Sequence, residues 1–324
     1  MSLLPWVGVF ILSLITLLKS AEWFTDTAEK VGLHFKLSPF IIGVTIVAMG
    51  TSLPEIATSI IAVLNGHSEI VIGNVVGSNI ANILFVLSIT AIIAGPLVIN
   101  KNIIRVDLPI LLGSSVLLYI TTLNGHFNYL DGIISIVVLI TYLAYNATSE
   151  HKVEKKELRE LSLKKTKEKK RLKKDHLALK YPLYLAASGA VLYLSANYTI
   201  ESVIKISEFL KIGTELIAIS AIAIGTSLPE LAVSLAAAKK GKVDIAIGNI
   251  TGSNIFNALG VMGVSSIFGP LEIPNNFVQI TIPILLTITI LYIFVTIEKH
   301  ISKWEGITLL LIYVAFMGKT FGLI

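Results

Sequence analysis

The sequence predicts an all-α membrane protein of ten transmembrane helices, arranged as two inverted-topology five-helix repeats with helices 2 and 7 broken. Three observations predict it. The 324 residues are 54% hydrophobic and only 15% charged, where soluble domains carry about 25% charged residues, and mean hydropathy is +0.81. Apolar runs of roughly 18 or more residues, each able to cross ~30 Å of hydrocarbon, follow one another along the chain. The hexapeptide Gly50-Thr51-Ser52-Leu53-Pro54-Glu55 recurs letter for letter as Gly225-Thr226-Ser227-Leu228-Pro229-Glu230.

The spans are expected near residues 3–24, 38–64, 69–95, 105–123, 129–147, 181–207, 213–238, 243–268, 276–297 and 304–322. The first apolar run follows a segment, Met1–Pro5, without positive charge. Lys19 and Glu22 come after it rather than a small-residue cleavage site, so it is read as a spanning helix and not a signal peptide. Between the fifth and sixth spans, 151–180 holds thirteen of the 26 Lys and Arg. This stretch reads as a solvated, helical, cytoplasmic linker. It divides the chain into a first repeat, 1–150, and a second, 181–324.

A cytoplasmic linker after five spans places the N-terminus outside. The short loops agree. Lys101 and Arg105, Lys239 to Lys242, and Lys299 with Lys303 all fall inside, while the outer loops 124–128 and 269–276 contain no Lys or Arg. Five spans per half make the second half enter the membrane in the opposite sense. A shift of 175 residues aligns Gly50–Asn82 with Gly225–Asn257 without a gap, identical at 19 of 33 positions. Inverted repeats of this kind mark secondary transporters, whose sites lie near the midplane between interrupted helices.

A charge at membrane depth costs at least ~2.5–3.5 kcal/mol on insertion scales, so Glu55 and Glu230 mark a functional site. Pro54 cannot donate to the Gly50 carbonyl and disfavours helical geometry at Leu53. Carbonyls near Ala48 and Ala223 are therefore expected to turn toward a site. Thr51, Ser52, Thr226 and Ser227 add hydroxyls. The second motif, Gly73-Asn74-Val75-Val76-Gly77-Ser78-Asn79-Ile80-Ala81-Asn82, repeats as Gly248-Asn249-Ile250-Thr251-Gly252-Ser253-Asn254-Ile255-Phe256-Asn257. Ser78 with Asn82, and Ser253 with Asn257, share a helix face at a spacing of four. Gly73, Gly77, Gly248 and Gly252 have the small-xxx-small spacing of close helix packing. The donor set is all oxygen, which suits hard cations and not zinc or copper. Two carboxylates neutralise one Ca²⁺ or two Na⁺, and their mutual repulsion when empty favours rebinding of a cation.

Other charges read more plainly. Lys19 and Glu22, one turn apart, form an interfacial pair; Glu69 and Asp244 begin helices. There are no cysteines, and the six histidines lie outside both motifs. No activated nucleophile, aspartate pair or histidine–metal motif accompanies the glutamates, so no enzyme activity is expected. The excess of +5 is local to the linker and does not indicate nucleic acid.

At these paired motifs the chain resembles the sodium/calcium exchanger branch of the cation/calcium exchanger superfamily, prokaryotic type. The resemblance covers both signature repeats, the ten-helix plan and the central linker. It implies that Glu55 and Glu230 hold Ca²⁺ and Na⁺ alternately, with Thr51, Ser52, Thr226, Ser227, Ser78, Asn82, Ser253, Asn257 and carbonyls near Ala48 and Ala223 completing the sites. It also implies that helices 1 and 6 slide across the other eight. Some relatives, including potassium-dependent exchangers and certain archaeal members, have Asp where this chain has Asn257, which argues against potassium co-transport. The Gly-Asn-Ala-x-Glu element of proton/calcium exchangers is absent, and the linker is too short for a calcium-sensing insertion.

The resulting expectation is a multi-pass plasma-membrane antiporter that extrudes Ca²⁺ on the Na⁺ gradient. Its substrates are Ca²⁺ and Na⁺, its surroundings the lipid bilayer, with no prosthetic group and no obligatory protein partner. Proton/cation exchange stays open as an alternative, and so does a cation channel lined by the same oxygens.

Overall fold

The computed structural model describes residues 3–35, 37–99, 106–161, 180–210, 227–320 and 322. Ten helices are found among them. Lys101, Arg105, most of the linker and the first half of the seventh predicted span, with Ala223 and Thr226, lie outside the described residues.

Helix α1, Leu3–His34, continues ten residues past its predicted end. Its extension is amphipathic: Thr25, Thr27, Ala28, Val31 and Gly32 stay buried, while Lys30 is exposed and Asp26 and Glu29 are half-buried. One packed face keeps the helix wound beyond the last apolar stretch.

Helix α2 spans Pro39–Leu64. Ser38 caps it, accepting from the Ile41 N–H at 3.4 Å, and Pro39 occupies the first turn. A π-turn covers Gly43–Val47. The helix then breaks at Ser52 (φ −87°, ψ 2°), one residue before Leu53-Pro54. Helix α3, Glu69–Ala94, carries its own π-turn at Asn82–Val86 and ends at Gly95, whose φ of 93° glycine tolerates without penalty. Helix α4 is Asp107–Thr122. Helix α5, Tyr129–Leu161, runs from the membrane into the first part of the linker.

Helix α6 is Lys180–Leu210. Helix α7 is Leu228–Lys239, preceded by Ser227, whose φ −90° and ψ 3° match those of Ser52. Helix α8, Val243–Phe256, continues through a π-turn at Asn257–Val261 into Met262–Ser265. Helix α9 is Phe277–Ile297. Helix α10, Lys303–Thr320, opens on a capping box, in which Ser302 N–H donates to Glu305 and Glu305 N–H to the Ser302 hydroxyl at 3.2 Å.

Four two-residue strands tie the loops together. Strand β1 (Leu97–Val98) pairs antiparallel with β4 (His300–Ile301), and β2 (His126–Phe127) with β3 (Leu271–Glu272). Each first-repeat strand has its counterpart 174 residues on, β3 for β1 and β4 for β2. Exchanging the repeats therefore turns one ribbon into the other, as a two-fold axis in the membrane plane requires. The Glu272 N–H also donates to Ser68 Oγ at 3.1 Å, which puts the α2–α3 loop on the β2–β3 face.

At the centre, α2 crosses α8 backbone to backbone. A Cβ on Gly248 would run into the Phe40 carbonyl, and one on Gly252 would stand 2.6 Å from the Val44 carbonyl oxygen. Lipid supplies no hydrophobic drive between helices, so contact this close is what holds them. Helices α1 and α6 lie along one another outside this core, with Thr199 donating to Ser13 Oγ at 3.0 Å.

Candidate cation site

Both motifs deliver their carboxylates to the interior. Pro54 and Pro229 stand in the first turn of helical segments that begin just after Ser52 and Ser227, and Glu55 and Glu230 share that turn. Negative charge is favourable there, at the positive end of the helix dipole. Neither glutamate has any solvent exposure. The two are close enough to feel each other's charge. All four carboxylate oxygens find no hydrogen-bond partner among the described residues.

Hydroxyls and amides surround them. Thr51, Ser52, Ser227, Asn82, Ser253 and Asn257 are fully buried, and Ser78 is nearly so. The hydroxyls of Thr51, Ser52 and Ser253 face the Glu230 carboxylate without closing a hydrogen bond of ordinary geometry. Oxygens gathered round a carboxylate and still unbonded to it are the kind of set a hard cation requires. Ser52 Oγ, Ser227 Oγ and Asn82 Oδ1 are likewise buried without a partner among the described residues, as are both ends of the Asn257 amide. Thr51 Oγ1 donates across the repeats to Asn249 Oδ1 at 3.1 Å and lies 3.4 Å from Ser253 Oγ.

Ala48 is buried beside them, but its carbonyl is engaged, accepting Ser52 N–H at 3.0 Å and Thr51 Oγ1 at 3.3 Å. The carbonyl that Pro54 releases is that of Gly50. The Ala48 carbonyl itself is therefore taken, and the one that lacks a helical donor lies two residues on. Ala223 and Thr226 lie outside the described residues.

Asn74 and Asn249 hold the half-helices in place rather than pointing at ions. Asn249 Nδ2 donates to the Glu230 carbonyl at 3.4 Å and to Ser234 Oγ at 3.0 Å, and Asn74 makes the equivalent bonds to Glu55 and Ser59 at 3.4 and 3.2 Å. Gly248 and Gly252 serve close packing, as their spacing predicts. Lys19 and Glu22 pair at 3.5 Å, and Glu69 and Asp244 stand in the first turns of their helices.

Two features escaped sequence reasoning. Asn82 and Asn257 each begin a π-turn, a widened turn common at functional sites. Asn79 and Asn254 are almost wholly buried between α3 and α8 and bond across the axis. Their repetition inside Gly-Ser-Asn was the signal available for them.

The flanks of the site are unequal. In the second half of α2, Ala57 and Thr58 are exposed, and Asn74 beside them is half-buried; their counterparts Ala232, Val233 and Asn249 are buried. Helix α1 covers α7 on the far face, where Lys240 Nζ meets Asp26 at 2.7 Å and Lys242 Nζ meets Asp26 and Glu29 at 2.8 and 2.7 Å.

Comparison with known proteins gives the same picture along the whole chain. The family model described as "Sodium/calcium exchanger protein" matches residues 5–148 and 180–321, one match per repeat. An uncharacterized membrane protein of Methanocaldococcus jannaschii is 34% identical over 309 residues, 95% of each chain. The Sodium/calcium exchanger MaX1 of Methanosarcina acetivorans is 32% identical over 344 residues, 97% of each chain. The solved structure of the sodium-calcium exchanger NCX_Mj, soaked without Na⁺ and Ca²⁺, superposes with a TM-score of 0.79 at 30% identity, covering 98% of this chain and all of that one.

Proposed function

This chain belongs to the sodium/calcium exchanger family, and on that premise we propose that it is a secondary antiporter in which Glu55 and Glu230 carry Ca²⁺ in one direction and Na⁺ in the other. The observation that carries the assignment is the burial of two repeat-related carboxylates, both without solvent exposure or hydrogen-bond partner among the described residues, together with other buried oxygens. Ca²⁺ takes six to eight oxygen ligands, and carboxylate, hydroxyl and amide oxygens suit it. Glu55, Glu230, Thr51, Ser52, Ser78, Asn82, Ser227, Ser253 and Asn257 supply them, with Thr226 and the carbonyl of Ala223 from the second repeat and the carbonyl of Gly50 from the first.

Exchange follows from the charge balance. Two glutamates neutralised by one Ca²⁺ or by Na⁺ can be carried past the low-dielectric core, whereas two bare carboxylates cannot. Only loaded states cross, so flux in one direction needs counter-ion in the other. The unequal flanks of the site supply the access. Among the described residues, nothing covers Ala57 and Thr58 in the half of α2 facing the β2–β3 side, whereas α1 closes over the half of α7 facing the Lys240 side, which supports a conformation open toward the first of these faces. With the basic linker in the cytoplasm, that face is external, and the antiporter is oriented in the cell membrane for Ca²⁺ extrusion on inward Na⁺ flux. Asn257 supplies an amide and no third carboxylate, which fits exchange without K⁺.

The test is radiolabelled Ca²⁺ uptake into proteoliposomes loaded with Na⁺, with external K⁺ replaced by choline and with a pH gradient alone. Uptake is expected with outward Na⁺ alone. Uptake on the pH gradient without Na⁺ would instead identify proton exchange, and large currents without any counter-ion would identify a channel.

A further inference from the structure

An asparagine ligand carries a risk that a carboxylate does not. Its two ends have similar shape, and the wrong one offers N–H donors to a cation. The amide must therefore be held by its nitrogen. In the first repeat the amide nitrogens of Asn79 and Asn82 are spent on protein acceptors. Asn82 Nδ2 donates to Asn254 Oδ1 at 3.4 Å, and Asn79 Nδ2 to the Asn254 carbonyl at 3.1 Å. The Oδ1 atoms of Asn82 and Asn79 are left buried and without a partner among the described residues.

We propose that Asn254 is a positioning residue for cation binding: its side-chain oxygen holds the nitrogen of Asn82, so that Asn82 turns its oxygen to the ion. The backbone of Asn254 is held across the axis, its carbonyl accepting from Asn79, while its own Nδ2 is buried without a partner among the described residues. The arrangement has a mirror image. Asn79 Oδ1 stands to Asn257 as Asn254 Oδ1 stands to Asn82, and in this conformation neither Asn79 Oδ1 nor Asn257 Nδ2 has a partner among the described residues. One ligand amide is thus oriented and its counterpart is not, an asymmetry in keeping with the unequal flanks of the site. The inference rests on the reading of Asn82 as a cation ligand.

A double-mutant cycle tests it, because aspartate presents oxygen whichever way it turns. Asn254→Leu is expected to raise the half-saturating Ca²⁺ concentration for Na⁺-driven uptake about tenfold with Asn82 present, and less than about twofold in an Asn82→Asp background. Equal penalties in both backgrounds would show that Asn254 only packs, and no penalty in either would remove it from the site; each overturns the proposal. Asparagine-selective NMR of the unaltered protein in nanodiscs serves where a variant does not fold or transport. Ca²⁺ is expected to shift the Asn82 ¹³Cγ resonance and leave its ¹⁵Nδ2 in a hydrogen-bonded position. Release of that nitrogen on Ca²⁺ binding overturns the proposal. Absence of Na⁺-driven uptake in the unaltered protein would count against the exchanger reading, and the NMR arm would still decide the hydrogen bond.

Discussion

Asn79 and Asn254 are the same residue of the two repeats, 175 positions apart, and they touch: Asn79 Nδ2 donates to the Asn254 carbonyl at 3.1 Å. Only residues beside a two-fold axis can meet their own counterparts, so this contact locates the axis that relates α3 to α8. Glu55 and Glu230, also 175 apart, are both wholly buried. A duplicated half-site on such an axis becomes a whole one. A single repeat brings one carboxylate; two bring the charge of a divalent cation.

The crossing of α2 and α8 depends on missing side chains. Gly252→Ala places a methyl 2.6 Å from the Val44 carbonyl oxygen and 2.8 Å from Ala48 Cβ, and overpacking of this kind costs about 1–3 kcal/mol. Gly113→Ala in α4 meets nothing within 4 Å and removes the ~0.5–1 kcal/mol penalty of a helical glycine. Thermal unfolding in detergent is expected to put Gly252→Ala below the unaltered protein and Gly113→Ala level with it or above.

The ionic cluster between α1 and the α7–α8 loop is partly exposed, so each pair contributes up to about 1 kcal/mol and is weakened by salt. Burial pulls the Lys242 ammonium down, but the hydrogen bonds and charges of Asp26 and Glu29 outweigh it and hold its pKa above the ordinary lysine value. A raised lysine pKa contributes stability that is complete below the unfolded value of ~10.4 and lost as pH rises through the folded one. Lys242→Gln is therefore expected to lower the unfolding midpoint equally at pH 6 and pH 9. The deficit shrinks in high salt and as pH rises beyond the folded pKa, where the unaltered protein also loses the charge.

Asn257 bears on ion choice. Replacing K⁺ by choline is expected to leave Na⁺-driven Ca²⁺ uptake of the unaltered protein within about twofold, since no extra carboxylate balances a further monovalent charge. Asn257→Asp adds that carboxylate and is expected to make the flux respond to K⁺ or to external acid. Strong K⁺ dependence before any substitution would contradict the two-carboxylate account.

The fold was legible where the sequence repeats itself. A carboxylate and a proline in an apolar run are each costly, and their recurrence at Glu55 and Glu230 announced both the inverted repeat and its candidate site. Ser78, Asn82, Ser253 and Asn257 followed from helical spacing. The π-turns at Asn82 and Asn257 did not, because a one-residue widening leaves hydrophobic periodicity almost unchanged. Nor did the role of Asn254, since which end of an amide faces an ion depends on a neighbour from the other half of the chain. The end of α1 was missed because hydropathy falls at Asp26 while its small buried face continues to Gly32.

The central claim is that Glu55 and Glu230 together carry the transported ions. An interaction of unit charges at ~4 Å is worth about 4 kcal/mol at an effective dielectric of ~20, nearly three decades in affinity. The direct measurement is Na⁺-gradient-driven uptake of radiolabelled Ca²⁺ by proteoliposomes carrying Glu55→Gln or Glu230→Gln, each reconstituted at the level of the unaltered protein. The account predicts that either substitution reduces uptake to the protein-free background. Near-normal exchange in both variants would contradict it.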